Sequence, residues 1–438
     1  MRSWVLHAAD RLAGAIGVPG DKSISHRSLL LGAMAHGTTE IRGFLRSQDC
    51  LATLHALRAL GTEILETPDG CVRIVGRGPD ALREPETILD AGNSGTSLRL
   101  LTGLLAGRPF CSILTGDASL RRRPMRRVVE PLTAMGATLL GREAGRYPPL
   151  AIRGAELSGI AWKTPVASAQ VKSAILLAGL QALGETSVTE PMLSRDHTER
   201  MLTAFGVVPQ RRGTTVSVPG KARLAAASLS IPGDLSSAAF FMVAAAARPG
   251  AELLIRDVGV NPTRAGALEV LAAMGATITQ ARQRDEAGEP VADIHVRGAR
   301  LRGTAIGSDL IPRLLDEIPA LAVAAALAEG ETVISGAAEL RVKEVDRLSA
   351  LAGELARLGV QVTEERDRLR ILGGRRPRGT LVSSRGDHRM AMSLAVAGLF
   401  AEGETRIQDV ACVETSFPGF ARLLLEVAPD CGIREVGD

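Results

Sequence analysis

Gly37-Thr38-Thr39-Glu40-Ile41 is a glycine-centred turn leading into a β-like segment, and it closes an apolar helical stretch containing Leu29, Leu30, Leu31, Ala33 and Met34. The same device returns at Gly107-Arg108-Pro109-Phe110, Gly184-Glu185-Thr186-Ser187-Val188, Gly250-Ala251-Glu252-Leu253, Gly330-Glu331-Thr332-Val333 and Gly403-Glu404-Thr405-Arg406-Ile407. The glycines stand 66 to 80 residues apart, so six repeats of about 73 residues account for nearly all of the 438.

A second echo lies inside each repeat. A helix ending in a hydrophobic-Gly pair runs into a strand at Leu60-Gly61, Met135-Gly136, Phe205-Gly206, Met274-Gly275 and Leu358-Gly359, where Gly reads as the residue just past a helix end. The sixth repeat ends after its helix, Phe420 to Val427, without that strand, and the N-terminal segment around Trp4 to Leu6 is the candidate to complete it. Two helices and several strands per repeat make an α/β pattern.

Working outward, Val18-Pro19-Gly20-Asp21-Lys22-Ser23-Ile24-Ser25-His26-Arg27 breaks the chain with Pro-Gly and opens the first helix, capped by Asp21 or Ser23. Ile231-Pro232-Gly233-Asp234-Leu235-Ser236-Ser237 repeats the break but has hydrophobic residues where the first copy has Lys22 and Arg27. The paired breaks favour two lobes of three repeats each, 20–232 and 1–19 with 233–438, with hinges near Gly20 and Gly233 and a ligand cleft between the lobes. A closed ring of six repeats is the alternative.

Composition narrows the partners. Hydrophobic residues make 45% of the chain, and no apolar run reaches the length of a membrane span. The N-terminus lacks the apolar core of a signal peptide, and the five cysteines form no CxxC pair, which points to the cytoplasm. Net charge is +4 and the pI near 9.0, which suits acidic ligands. Aromatics at 3% are poor material for stacking bases, so nucleic acid is disfavoured.

The first helix start combines unpaired N–H groups and a positive dipole end with Lys22 and Arg27, a setting for an anion. Equivalent starts are polar too: Gly92-Asn93-Ser94-Gly95-Thr96, Ser168-Ala169-Gln170-Val171-Lys172, Asp316-Glu317 and Asp387-His388-Arg389. Arg121, Arg122, Arg123, Arg126 and Arg127 crowd one loop, and Arg forks match carboxylate and phosphate geometry. Arg341-Val342-Lys343-Glu344-Val345-Asp346-Arg347 reads as a helix with Lys343 and Arg347 on one face and Glu344 beside them. No GxxxxGK[ST] loop, strand-linked GxGxxG, GxSxG elbow or metal-ligand histidine spacing is present. What remains is a site rich in Lys and Arg with a few carboxylates, suited to transfer between small polyanions.

In these stretches, and in Thr115-Gly116-Asp117 through Arg123-Pro124-Met125 and Asp387-His388-Arg389-Met390-Ala391-Met392, the chain resembles the enolpyruvyl transferase family. The likeness runs in family order from residue 18 to 418 and is strongest to the branch acting on shikimate 3-phosphate. It implies two lobes, each of three βαβαββ repeats, and transfer of the enolpyruvyl group of phosphoenolpyruvate to the shikimate 5-hydroxyl, with release of phosphate, in aromatic amino acid biosynthesis. By resemblance, Lys22, Ser23, Arg27, Ser168, Ala169, Gln170, Arg195, Asp316 and Lys343 hold shikimate 3-phosphate. Lys22, Gly95, Arg123, Gln170, Glu344, Arg347 and Arg389 belong to the phosphoenolpyruvate site. Asp316 is the implied base on the hydroxyl, and Lys22 or Glu344 handles the C3 proton. No metal or organic cofactor is implied, and the protein is expected to act as a monomer on small molecules. Glyphosate and other phosphonate mimics of phosphoenolpyruvate are expected to compete at its site.

Two departures stand out. No Lys precedes Phe417-Pro418, and Ser194-Arg195-Asp196-His197-Thr198-Glu199 has no Tyr for the shikimate ring. The sister transferase acting on UDP-N-acetylglucosamine has a reactive cysteine where this chain has Ala118. RNA 3′-phosphate cyclisation would need a nucleotidylated His and a nucleotide site. A catalytically dead anion-binding scaffold would not need Lys22, Asp316, Glu344 and Arg389.

Overall fold

The computed structural model describes residues 2–437; Met1 and Asp438, at the ends of the expected second lobe, lie outside the described residues. The chain divides into two compact lobes. The first holds 20–232 together with 285–289, and the second the described residues of 1–19, 233–284 and 290–438.

The six repeats appear as six four-stranded sheets. In the first lobe the sheets pair His36–Arg42 with Ser228–Ser230, Cys111–Thr115 with Leu89–Asp90, and Thr186–Thr189 with Ala161–Lys163, in parallel each time. On its other side each of these central strands meets an antiparallel partner: Val72–Arg77, Tyr147–Arg153 and Thr215–Val218. The first lobe therefore closes on itself, since its last strand, Ser228–Ser230, completes its first sheet. The exposed–buried alternation of Val72–Arg77 shows why register holds: Val72 and Ile74 face the core while Arg73 and Arg77 face out.

In the second lobe, strand β1 (Arg2–Leu6) lies between Thr405–Gln408 and Arg434–Gly437, antiparallel to both. Strand β2 (Ala13–Gly17) pairs in parallel with Glu252–Gly259. The N-terminal segment thus completes the sixth sheet as expected. The sixth repeat nevertheless has its own strand after the helix, Arg434–Gly437, contrary to expectation. That strand is short and largely exposed, with charged residues at Arg434 and Glu435, so it lacks the apolar alternation that marks a strand.

Each lobe buries three apolar helices: α1 (Lys22–Met34), α2 (Gly95–Ala106) and α3 (Ala169–Gly179) in the first, α4 (Leu235–Ala246), α5 (Ile318–Leu327) and α6 (His388–Gly398) in the second. Past their first turns they are buried on nearly every face, and in α4 all residues are buried. Helices α2 and α3 approach so closely that a Cβ on Gly103 would lie 2.2 Å from the Ala174 carbonyl oxygen. Each lobe has its own continuous apolar core. The helix-ending glycines Gly61, Gly136, Gly206, Gly275 and Gly359 all adopt φ between 83° and 115°, as their place past a helix end requires. Among the described residues no helix is long and apolar enough to cross a membrane.

Candidate active site

The starts of the buried helices hold the candidate residues, because the apolar body of each helix is spent on the core and only its first turn can meet a ligand. Asp21 caps α1, its Oδ1 accepting from the Ile24 N–H at 2.9 Å, so Lys22 and Ser23 open the helix as residues. Ser94 caps α2 through the Ser97 N–H at 3.0 Å and leaves Gly95 as its first residue. Ser168 precedes α3, placing Ala169 and Gln170 in its first turn.

In the first lobe these starts are tied by hydrogen bonds. Lys22 Nζ stands 2.9 Å from Asp49 Oδ2. Gln170 spans α2 and α3, donating to Thr96 Oγ1 at 2.9 Å and accepting from Arg99 Nη1 at 2.6 Å. Arg123 is buried and donates from Nη2 to Asn93 Oδ1 at 2.9 Å. Arg27, also buried, donates to Thr198 Oγ1 at 2.7 Å, Ser173 Oγ at 2.8 Å and the Ser23 carbonyl at 3.0 Å. Burial lowers its pKa to about 10, and Arg195 adds like-charge repulsion against nearby carboxylates. Arg195 is therefore in electrostatic reach of Arg27. Beneath these groups runs a buried chain of hydroxyls: His26 Nδ1 to Thr53 Oγ1 at 2.8 Å, Thr53 to Ser97 at 2.6 Å and Ser97 to Ser94 at 2.7 Å.

His26 is a core residue of this network. Burial lowers its pKa well below the ordinary histidine value, and Lys22 and Arg27 push it further down. The unfolded chain takes up a proton near pH 6.5 that the folded chain refuses. Stability is therefore full above that pH and falls as pH drops below it, with a slope approaching about 1.4 kcal/mol per unit. Thermal midpoints between pH 7.5 and 5 are expected to fall more steeply for the wild type than for His26→Gln. Parallel curves would contradict this.

In the second lobe the candidates converge on Asp316. Its carboxylate lies 3.7 Å from Lys343 Nζ, 3.6 Å from Arg347 Nη1 and 3.8 Å from Arg389 Nη2, and its carbonyl accepts from Arg389 Nη1 at 3.0 Å. Arg347, 1% exposed, also donates to Glu344 Oε2 at 2.6 Å and to Asp387 Oδ2 at 2.7 Å. Burial alone would lower its pKa, but Asp387, Glu344 and Asp316 together raise it above the ordinary arginine value.

One expectation needs correcting. Arg341 to Arg347 is not a helix face: Ala338–Val342 is a 3-10 turn, and the helix begins at Arg347 with Asp346 as its cap, accepting from the Ser349 N–H at 3.2 Å. The capping aspartate stops the helix from extending backward, so Lys343 and Glu344 sit in the loop before it and reach Asp316 and Arg347 from there.

The undecorated helix start has an explanation too. At α4, the buried Arg264 engages the helix start itself, 3.2 Å from Asp234 and 3.4 Å from Glu317, and it donates to Ser236. Asp49 and Arg99 escaped the sequence reading, and Asp387 was read only as part of a polar helix start, without its partner. Each acts through a residue distant in sequence, at separations of 27, 71 and 40 residues. Asp387 alone left a signal, as a capping residue before α6, where it accepts from the Arg389 N–H at 2.8 Å.

Comparison with known proteins fits this geometry. Residues 6–424 match the family model of EPSP synthase (3-phosphoshikimate 1-carboxyvinyltransferase). The chain is 58% identical over 414 residues to the 3-phosphoshikimate 1-carboxyvinyltransferase of Desulforudis audaxviator, covering 94% of this chain and 96% of that one. It is 55% identical over 424 residues to the enzyme of the same name from Geobacter sp. strain M21, covering 97% and 99%. The solved EPSP synthase of Acinetobacter baumannii is similar over 100% of both chains, with a TM-score of 0.89 at 45% identity.

Proposed function

Because the chain belongs to the EPSP synthase (3-phosphoshikimate 1-carboxyvinyltransferase) family, we propose that it transfers the enolpyruvyl group of phosphoenolpyruvate to the 5-hydroxyl of shikimate 3-phosphate. The observation that carries this reading onto the residues is Asp316 held among Lys343, Arg347 and Arg389. A carboxylate there is a base surrounded by the cations that two anionic substrates require.

The family resemblance supplies the reaction, and the residues take the following roles in it. Shikimate 3-phosphate binds to Ser23, Arg27, Ser168, Ala169, Gln170, Arg195 and Lys343, with Lys22 close by. Phosphoenolpyruvate is held by Lys22, Gly95, Arg123, Gln170, Arg347 and Arg389. An anion that engages Arg389 and Lys343 takes charge compensation away from Asp316, the change that raises the basicity of a carboxylate. Asp316 then accepts the 5-hydroxyl proton as the oxygen bonds to C2 of phosphoenolpyruvate, while C3 gains a proton and becomes a methyl group. Loss of one methyl proton and cleavage of the C2–O bond to phosphate restore the double bond and release phosphate. Lys22 or Glu344 delivers and removes the C3 proton. The arginines supply position and charge, with little reorganisation during the step. We assign hinge function to the crossings at Pro19-Gly20 and Pro232-Gly233.

Phosphate release from shikimate 3-phosphate and phosphoenolpyruvate is the direct test; no release from the purified chain would overturn the reading. A second test concerns Gly95. A Cβ there would lie 2.9 Å from Arg99 Nη1 and 3.0 Å from Arg123 Nη1, so both guanidinium groups must shift. Inhibition constants for phosphonate mimics of phosphoenolpyruvate such as glyphosate are expected to rise about tenfold or more in Gly95→Ala, corresponding to an overpacking cost of about 1–3 kcal/mol. Equal constants in the two proteins would show that the methyl leaves the phosphoenolpyruvate site undisturbed.

A further inference from the structure

The turn Asp285–Glu289, between the strands Thr277–Glu286 and Glu289–Arg297, belongs to the first compact unit. Within that unit the turn holds one short helix at two points. His197 Nδ1 bonds Glu289 Oε1 at 2.7 Å, and Arg200 Nη1 donates to the Gly288 carbonyl at 2.7 Å. His197 and Arg200 stand three residues apart on the helix His197–Ala204, hence on one face. That helix has no side-chain cap at Asp196, whose carboxylate is engaged by Arg200 at 2.9 Å.

The bond to His197 is a demanding one. Both residues are buried, Glu289 at 3% and His197 at 2% exposure. An ionised carboxylate only accepts, so the bond fixes the imidazole proton on Nδ1. His197 Nε2 is buried without a hydrogen-bond partner among the described residues, so the ring's orientation depends on Glu289. The next residue, Thr198, receives the Arg27 Nε hydrogen bond, and Arg195 lies just before the helix. The Glu289 carboxylate also acts favourably on the Arg27 and Arg200 cations, which places it in electrostatic reach of both.

We propose that Glu289 is a positioning residue for shikimate 3-phosphate: through His197 it sets the helix turn that places Thr198, Arg27 and Arg195. This rests on the functional reading above. Glu289 does not touch the reacting atoms. It acts on a binding surface for one substrate, so its loss should separate the two substrates.

The test uses the full chain, with calorimetric titration of shikimate 3-phosphate alone and steady-state kinetics with both substrates. Glu289→Ala is expected to weaken shikimate 3-phosphate binding about tenfold while the KM for phosphoenolpyruvate stays within about twofold, the pattern of a displaced binding group. Glu289→Gln keeps an acceptor for His197 and is expected to bind within about threefold of the wild type. His197→Ala should match Glu289→Ala, and the double variant should lose no more than either single one. Unchanged shikimate 3-phosphate affinity in Glu289→Ala, or in His197→Ala if the former does not fold, overturns the proposal. Equal losses for both substrates, or a Glu289→Gln protein as weak as Glu289→Ala, also overturn it. A wild type that releases phosphate in the assay but shows these results leaves the functional reading intact, whereas a wild type that binds no shikimate 3-phosphate overturns both.

Discussion

Arg347→Met is expected to lose turnover to background and to unfold about 3–5 kcal/mol more easily than the wild type, the cost of leaving a buried charge without its partner. Arg347 is 1% exposed and engages Asp387, itself fully buried, as well as Glu344 and Asp316. Removing the guanidinium strands the Asp387 carboxylate, which then has chiefly the amides at the start of α6 to stabilise it. Adding Asp387→Asn removes that charge and keeps a capping side chain. The double variant should therefore recover most of the stability and none of the activity. Chemical denaturation with a phosphate-release assay checks both halves. If the single variant unfolds like the wild type, the ion pair is not the structural element described here.

Arg27→Met is expected to behave in the opposite way: a stability equal to or above that of the wild type, with shikimate 3-phosphate affinity reduced about a hundredfold or more. A buried, hydrogen-bonded charge facing an anion commonly costs about 2–5 kcal/mol when truncated. The two buried arginines differ in their surroundings. Arg347 has three carboxylates, while the hydrogen bonds of Arg27 go to two hydroxyls and a carbonyl. Burial is the chief cause that lowers its pKa from the ordinary arginine value to about 10. A lowered folded pKa means the cation is penalised throughout the neutral range and the penalty is relieved only as pH rises past about 10. Methionine removes that burden, and Thr198 and Ser173 still bond each other at 2.6 Å. A denaturation midpoint as low as that of Arg347→Met would show that Arg27 holds the lobe together.

The fold was legible because it is periodic. Six glycine turns and five helix-ending glycines locate every repeat, and all of them but Gly107, at φ −93°, adopt a positive φ that other residues resist. The final strand, Arg434–Gly437, was not legible, since a short exposed edge strand needs no apolar alternation. The helix-start placement of the candidate residues was legible at Lys22, Gly95, Gln170 and Arg389. The local structure, not the candidacy, was misread at Lys343 and Glu344, where charged residues at helical spacing precede a cap and belong to a loop. The sequence was silent at Asp49, Arg99 and Glu289, whose partners come from other parts of the chain. An acidic or basic residue on an ordinary helix or hairpin has no local feature that announces a distant partner.

The placement of β1 and β2 has a consequence for how the chain is made. A ribosome releases the polypeptide from the N-terminus at about 5–20 residues per second. The strands of 20–232 all find their partners within that segment, so its sheets can assemble while the remainder is still being synthesised. The first two strands cannot. Ala13–Gly17 waits for Glu252–Gly259, and Arg2–Leu6 waits for Thr405–Gln408 and Arg434–Gly437, the last strand to emerge. For some tens of seconds the nascent chain therefore trails an unpaired apolar strand, Trp4-Val5-Leu6, with open edges to any neighbour on the same messenger. Truncation before Thr405 leaves that strand without either partner for good, and such fragments are the ones a cell's chaperones and proteases would meet.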